Sequence, residues 1–312
     1  MKRTHILLLG LCVTGIHIWG TVEGQEKVTL RLAYPEGRTA VYKNTYIFEY
    51  TSDKGKWLLP ARSSGGDLHV VITGEWRSQE KARPIASAPG EATDTVEVEA
   101  ALEKADSGVR IDGTPLTFQE YPFTLDSMNG RKFTWRFSPH GRVGHFFPVP
   151  GRHPPSRPGL VTDLRQFWMP ELCPLLPETD VGKGDTWTGE QAFEAAYSEL
   201  GLMGLVGLTS TYEVKKIEKK KGQVRVTIQE DRKVHYRGWM YAGLLSLLLG
   251  GEGEGSGKWV IDISRGLVLS HDVRMEIDRP MVMLAGTRES LGSIRAETRW
   301  TFKRKLDKLK KE

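Results

Sequence analysis

The order of apolar and polar positions along the chain has a dominant period of two. Val96, Val98 and Ala100 alternate with Thr95, Glu97 and Glu99; Phe133, Trp135 and Phe137 with Lys132, Thr134 and Arg136; Val224, Val226 and Ile228 with Gln223, Arg225 and Thr227. One apolar and one polar face per run is the pattern of antiparallel strands packed on one side and solvated on the other. Turn formers separate the runs at Ala105-Asp106-Ser107-Gly108, Met128-Asn129-Gly130, Pro139-His140-Gly141, Lys220-Lys221-Gly222 and Ser264-Arg265-Gly266, which predicts hairpins and a meander. Helical patterning is confined to 163–167, 190–202 and 239–249. The expectation is a mainly β, antiparallel fold with a few short helices.

The two halves of the chain resemble each other. Phe133 to Val143, with its Pro139-His140-Gly141 turn, matches Trp259 to Val268, with its Ser264-Arg265-Gly266 turn. This argues for two related β units. Between them Pro148, Pro150, Pro154, Pro155 and Pro158 exclude a sheet interior. Two more stretches, 81–93 and the Gly-, Glu- and Ser-rich 250–257, read as loop and flexible connector. The expected organisation is a signal peptide over 1–24, an N-terminal β unit over 25–150, a proline-rich connector over 151–175, a C-terminal β unit over 176–303 and a charged, fraying tail over 304–312.

The stretch Pro177-Glu178-Thr179-Asp180-Val181-Gly182-Lys183-Gly184-Asp185-Thr186-Trp187 resembles the P-x-x-x-V-x-x-G-D-x-W signature of a family of secreted bacterial proteins without an assigned activity. Pro177, Val181, Gly184, Asp185 and Trp187 carry the match, and Leu32 to Tyr42 resembles that family's opening strand. The resemblance implies a curved sheet or half-barrel of the lipoprotein-carrier type, whose concave face shelters acyl chains. Independently of any family, Gly184-Asp185-Thr186-Trp187 reads as a turn in which Gly supplies positive φ, Asp bonds the backbone and Trp anchors the next strand.

Charge and cysteine content narrow the compartment. Met1-Lys2-Arg3 followed by a mostly apolar run from Ile6 to Trp19 is the n-region and h-region of a signal peptide, too short for a spanning helix. Val22-Glu23-Gly24 before Gln25 is the better cleavage site and Ile18-Trp19-Gly20 the poorer; an uncleaved anchor is the competing reading. Leu11 before Cys12 does not suit a lipidation site. The expected location is secreted or periplasmic, with no transmembrane span after cleavage. Cleavage at Gly24 removes Lys2, Arg3 and Glu23 and leaves 42 basic and 38 acidic residues. So small an excess gives no reason to expect nucleic acid as a partner. Cys173 then remains alone in an apolar stretch, which points to a buried thiol and no intramolecular disulfide.

No motif points to catalysis, a cofactor or a metal. His271 shares a strand face with Val273, Met275 and Ile277, where a hydrogen-bonded core histidine is expected. His140, His145 and His153 flank a turn and a proline-rich loop, a surface placement. Gly253 to Gly257 is no nucleophile elbow, and Gly201 to Gly207 lacks the strand and helix of a dinucleotide loop. Lys215, Lys216, Lys219, Lys220 and Lys221 cluster at a hairpin tip. Two segments are more apolar than a solvated strand requires, and from them Leu202, Leu205, Trp239, Tyr241, Leu244 and Leu248 are the expected ligand-binding residues. The function expected is an exported, non-catalytic protein binding an apolar or lipid-like ligand in a concave sheet. The alternative is a structural or interaction protein with an envelope protein partner.

Overall fold

The fold is known from a computed structural model, which describes residues 26–35, 37–53, 67–83, 95–116, 129–130, 132–148, 171–197, 202–242, 245–285 and 289–311. The strands are β1 (Arg38–Ser52), β2 (Leu68–Arg83), β3 (Val96–Ile111), β4 (Thr114–Leu116), β5 (Lys132–Phe137), β6 (Val143–Pro148), β7 (Thr186–Tyr197), β8 (Leu202–Lys220), β9 (Gln223–Ala242), β10 (Leu245–Asp262), β11 (Leu267–Ala285) and β12 (Glu289–Lys311). All twelve form one antiparallel sheet in the order β6-β5-β3-β2-β1-β12-β11-β10-β9-β8-β7, with β4 paired to β3. The sheet is not closed, so β6 and β7 are its edges. As expected from the hairpin signals, the architecture is mainly β and meandering, an open sheet consistent with a curved one.

Strands β1 to β6 form one meander and β7 to β12 another. The two are sutured by β1 and β12, which come from opposite ends of the chain and pair from Arg38 with Lys311 to Ser52 with Ala296. Strands β8 to β12 contain 18 to 23 residues each, about 60–75 Å long at ~3.3 Å per residue.

The alternation seen in sequence sorts the two faces. Val226, Ile228, Trp259, Ile261, Val273, Met275, Phe302, Trp135 and Phe137 are buried, while Lys233, Lys258, Arg274, Glu276 and Arg299 are exposed. The exposed face carries ion pairs such as Arg299–Glu276 and Lys303–Asp272, which hold its ladders in a solvated state.

Two segments, 28–34 and 171–181, lie against the buried face. They bridge at Val28 and Val181, Leu32 N–H donates to Pro139 O, Ala33 N–H to Gly266 O, and Leu176 N–H to His140 O. The two hairpin turns that match in sequence are thus gripped by adjacent residues of one segment. Both turns need glycine for this approach: a Cβ on Gly141 would sit 1.8 Å from Pro174 O, and one on Gly266 2.3 Å from Ala33 N.

Several expectations are corrected. Ala105 to Gly108 is not a turn but lies within β3, where one extra residue opposite Trp76 forms a bulge with Lys104 at φ 52°. The described residues of the 190–202 and 239–249 stretches are not helical: 190–197 belongs to β7, Leu202 opens β8, and 239–242 and 245–249 belong to β9 and β10. Ala- and Glu-rich local propensity yields there to pairing with the neighbouring strand. The glycine-rich 250–257 is not a connector but the middle of β10. The last residues do not fray, since 304–311 completes β12 against β1. The expected helix at 163–167 lies outside the described residues, as do 1–24, 84–93 and 149–158.

The glycines of β10 have a steric reason. A Cβ on Gly253 would meet Glu276 O at 2.4 Å, and on Gly255 Arg274 O at 2.5 Å, so β11 leans over β10 at this point. Gly255→Ala is expected to cost about 1–3 kcal/mol by overpacking, whereas Gly250→Ala, with nothing within 4 Å, should be neutral or slightly stabilising. Urea denaturation of the two variants against the parent measures the difference.

Candidate functional site

The parity that puts Val226 and Ile228 inside carries on along β9 to Glu230 and Arg232, and both are buried. A charged pair on an apolar face is costly unless every polar atom finds a partner. Arg232 forks onto Glu230, with Nε 2.9 Å from Oε1 and Nη2 3.1 Å from Oε2. Its Nη1 also donates to Glu171 Oε1 at 2.5 Å. Glu230 accepts two more bonds, from Ser210 Oγ of β8 at 2.6 Å and Trp259 Nε1 of β10 at 2.7 Å. Glu171 comes from the covering segment, so this ion pair ties that segment to the sheet.

His271 of β11 completes the cluster. Its ring stacks on Trp259 with centroids 3.5 Å apart and planes 6° from parallel. Nδ1 lies 3.1 Å from Glu171 Oε2 and Nε2 3.9 Å from Glu230 Oε2. Burial, and then the nearby Arg232 and Arg304 guanidinium groups, push the imidazole well below its usual value and keep it neutral. Burial raises the Glu171 carboxyl to about 7 against the pull of Arg232. For Arg232, burial alone favours loss of the proton, but Glu171 and Glu230 outweigh it and hold the charge.

A second buried pair continues the layer. Arg304 of β12 donates to Glu80 Oε2 of β2 at 2.6 Å, Tyr34 Oη donates to the same oxygen at 2.5 Å, and Ser78 Oγ donates to Oε1 at 2.8 Å. The guanidinium lies 3.7 Å from the Tyr42 ring centroid, a cation–π contact. Burial pushes the Cys173 thiol up to about 12, which makes it an inert core group.

In chemical terms the cluster sets Glu171 beside His271, but it cannot offer a proton to a substrate. Glu171, Glu230 and His271 are 0–1% exposed, and an acid–base catalyst must come within hydrogen-bond reach of its substrate. Arg232 occupies the centre of the carboxylates, where a cation would have to sit. Among the described residues no group of three or more His, Cys, Asp or Glu side chains can hold a metal ion.

The residues expected to bind ligand are distributed as follows. Leu205 of β8 is 52% exposed, in alternation with the buried Leu208 and Ser210. Trp239 and Leu248 are register partners between β9 and β10, and Leu202 pairs with Met240 one row further along. Tyr241 pairs with Ser246, and Leu244 lies outside the described residues. The sheet therefore gathers Leu202, Trp239, Tyr241 and Leu248 at one end of β8–β10. The Lys220-Lys221-Gly222 hairpin stands at the opposite end of β8 and β9. His140 Nδ1 is 3.1 Å from Pro177 O and His145 belongs to β6, while His153 lies outside the described residues.

The Gly184-Asp185 turn has the geometry read from sequence. Gly184 has φ 88°, Asp185 Oδ2 accepts from Gly182 N–H at 2.9 Å, and β7 begins at Thr186. Trp187 is half-buried rather than fully internal, stacked on Tyr212 at 5.3 Å and donating from Nε1 to Leu175 O at 2.7 Å. It pins the second covering segment to the sheet.

Two predictions follow from this geometry. Trp187→Ala should destabilise by about 2–4 kcal/mol, at or below the range for a fully buried Trp, and Trp187→Phe by ~1 kcal/mol for the lost hydrogen bond; chemical denaturation reads both. The pH dependence has two opposed parts. The raised Glu171 value makes the folded state hold the extra proton, so its contribution is present below about 4.5 and lost as pH rises to about 7. The lowered His271 value acts the other way: its contribution is present above 6.5 and lost as pH falls below it. His271→Gln should therefore leave stability that falls from pH 5 to 8, and Glu171→Gln stability that rises to about pH 7. Denaturation midpoints across pH 5–8 compare the slopes.

No protein-family model and no curated protein matches the chain. Among solved structures, the chain is similar to lipovitellin at 13% identity and a TM-score of 0.46 over 89% of its length, spanning 26% of the lipovitellin chain. An outer-membrane channel from Pseudomonas putida F1 aligns at 8% identity and a TM-score of 0.25 over 88% of this chain and 97% of the channel. A mutant Rh. blastica porin aligns at 6% identity and a TM-score of 0.20, over 84% of this chain and 99% of the porin.

Proposed function

We propose that this is an exported, non-catalytic protein that holds an apolar, lipid-like ligand against the concave side of its sheet. The observation that carries the reading is one of register. Leu202–Met240–Leu247–Met283 form one row across β8 to β11, and Gly204–Gly238–Leu249–Met281 form the next row of the same face. Segments far apart in sequence are brought side by side into one apolar area. In the other half of the sheet the protein covers its own apolar face, with 28–34 and 171–181, and supplies a buried ion-pair layer there. Contacts described for the covering segments reach Arg232 and His271; the apolar rows begin about 20 Å beyond Arg232, at ~3.3 Å per residue. Apolar surface with sparse polar groups is the ordinary lining of sites for hydrophobic ligands, and Met and Leu adapt to chains of varying shape.

Native mass spectrometry of the protein purified from a bacterial periplasm, followed by organic extraction, tests this directly. The expected result is acyl-chain species released on denaturation in near-stoichiometric amount. A clean monomer mass with no extractable lipid overturns the reading and favours a wholly self-packed sheet.

A further inference from the structure

We propose that the solvent face of the β1–β12 seam docks on the headgroups of an anionic lipid leaflet. Three rows of side chains cross β12, β1 and β2 there: Lys305–Lys43–Arg77, Lys308–Val41–Gln79 and Lys310–Thr39–Lys81. Alternate residues of one strand share a face, so Thr39, Val41 and Lys43 lie on one side with their partners. A bulge on β12 opposite Val41 and Tyr42 completes the arrangement. Its extra residue, Asp307, shifts the parity and brings Lys308 and Lys310 to the face of Lys305. Lys43, Lys305, Lys308 and Lys310 are exposed.

Like charges directly opposite one another destabilise a sheet. Other rows of this face avoid them: Lys258–Asp272–Lys303 and Glu276–Arg299–Glu49 alternate in sign. The row Lys305–Lys43–Arg77 does not. Asp307 is the one acid on these three strands within the patch, 3.4 Å from Lys43 and 3.8 Å from Arg77. Two more acids border it on β3, Glu103 opposite Arg77 and Glu99 opposite Lys81. Glu103 accepts from Gln79 Nε2, and Glu99 pairs with Lys132 at 2.9 Å. Lys305, Lys308 and Lys310 have no ion-pair partner among the described residues.

The patch measures about 10 Å by 14 Å, at ~4.8 Å between strands and ~3.4 Å per residue. That is close to one Debye length, ~10 Å at 0.1 M salt, so its charges act together. A flat array consisting mostly of lysines offers point charges without the paired donors of an arginine fork. The aromatic residues beside it, Tyr42, Trp76 and Phe302, are buried on the other face, where no nucleic-acid base can stack on them. An extended layer of phosphate headgroups fits such a surface, and each basic residue near it adds to the affinity. The choice of a lipid leaflet rests on the apolar-ligand reading, because a protein that holds lipid must exchange it with a membrane.

The test is flotation of the purified protein with vesicles of phosphatidylcholine alone and with roughly 30% phosphatidylglycerol, an anionic fraction that gives a marked surface potential. Expected is association with the anionic vesicles only, lost in about 1 M salt, where the Debye length falls to ~3 Å. Lys305→Gln, Lys308→Gln and Lys310→Gln together should weaken it about a hundredfold, at roughly fivefold per lysine. Their thermal unfolding midpoint should be unchanged or raised, because repulsion across the seam is relieved. If the triple variant misfolds, Lys308→Gln alone, opposite Val41 and Gln79, should still weaken association about fivefold. A comparison variant with Lys233→Gln, Lys258→Gln and Arg274→Gln removes the same charge from exposed positions elsewhere on this face and should bind nearly as the parent does. An equal loss in both triple variants overturns the patch in favour of net charge alone. No association of the parent with anionic vesicles overturns the docking, as does retention on heparin without vesicle association, which makes a soluble polyanion the partner. A protein that releases acyl chains on extraction yet ignores vesicles keeps the ligand reading and sinks only the docking; one that floats but carries no lipid does the reverse.

Discussion

The ion pair between Arg232 and Glu171 is the contact around which the packed half of the molecule is arranged. Arg232 lies on the apolar face of a central strand, away from water, and Glu230 two residues earlier occupies only part of its fork. The remaining donor is satisfied from outside the sheet, by Glu171 at the start of the second covering segment. Removing one partner of such a pair typically costs about 3–5 kcal/mol, because the other charge is left buried and alone. The pair therefore fixes the depth and register at which 171–181 lies on the sheet. From that anchor follow the bridge to Val28, the bond from Leu176 to the Pro139–Gly141 turn and the Trp187 contact with Leu175. Arg304 with Glu80 repeats the solution on β12 and β2, with Tyr34 of the first covering segment in the place Glu171 takes beside Arg232.

The two buried pairs also explain how one sheet is made from two meanders. Pairing of β1 with β12 is the longest-range contact in the fold, and loop-closure entropy opposes it. Arg304 lies on that seam, opposite Asn44, and is neutralised by Glu80 from the first meander. Next to it, His271 is opposite Arg304 across β11 and β12 and touches Glu171. Buried polar side chains thus occupy neighbouring positions across the sheet from Ser210 on β8 to Ser78 on β2. A register slip of β12 would leave Arg304 without a carboxylate, so the layer specifies the pairing as well as stabilising it.

Much of this was legible in period two. The strands outside 190–202 and 239–257, four of the five turns and the antiparallel architecture follow from alternation and from Gly, Pro and Asn placement. The polar layer was legible in principle as well: Glu230 and Arg232 share parity with Val226 and Ile228, and Arg304 shares it with Trp300 and Phe302. Charge alone suggests surface at these positions, and parity outweighs it. Glu171 had no such signal, because its partner lies sixty-one positions away and outside any local period. The 105–108 stretch misled because Asp-Ser-Gly marks a turn by composition, whereas a single-residue bulge absorbs it within a continuous strand. Glycine in β10 was read as flexibility, but there it makes room for β11, a steric demand set by a neighbour not visible along the chain.

The same parity argument contrasts the middle of this sheet with a membrane-spanning barrel. A barrel in a bilayer turns its apolar positions outward over a continuous band and keeps polar ones inside. Through the middle of β9 to β12 the arrangement here is reversed: Trp259, Val273 and Phe302 are internal, and Lys258, Arg274 and Lys303 face water. Above Arg237 on β9 the sequence changes, with Met240, Leu247 and Met283 in one row and Trp239, Leu248 and Val282 in the next. The ion-pair layer locks the strands' register about 20 Å below those rows, at ~3.3 Å per residue.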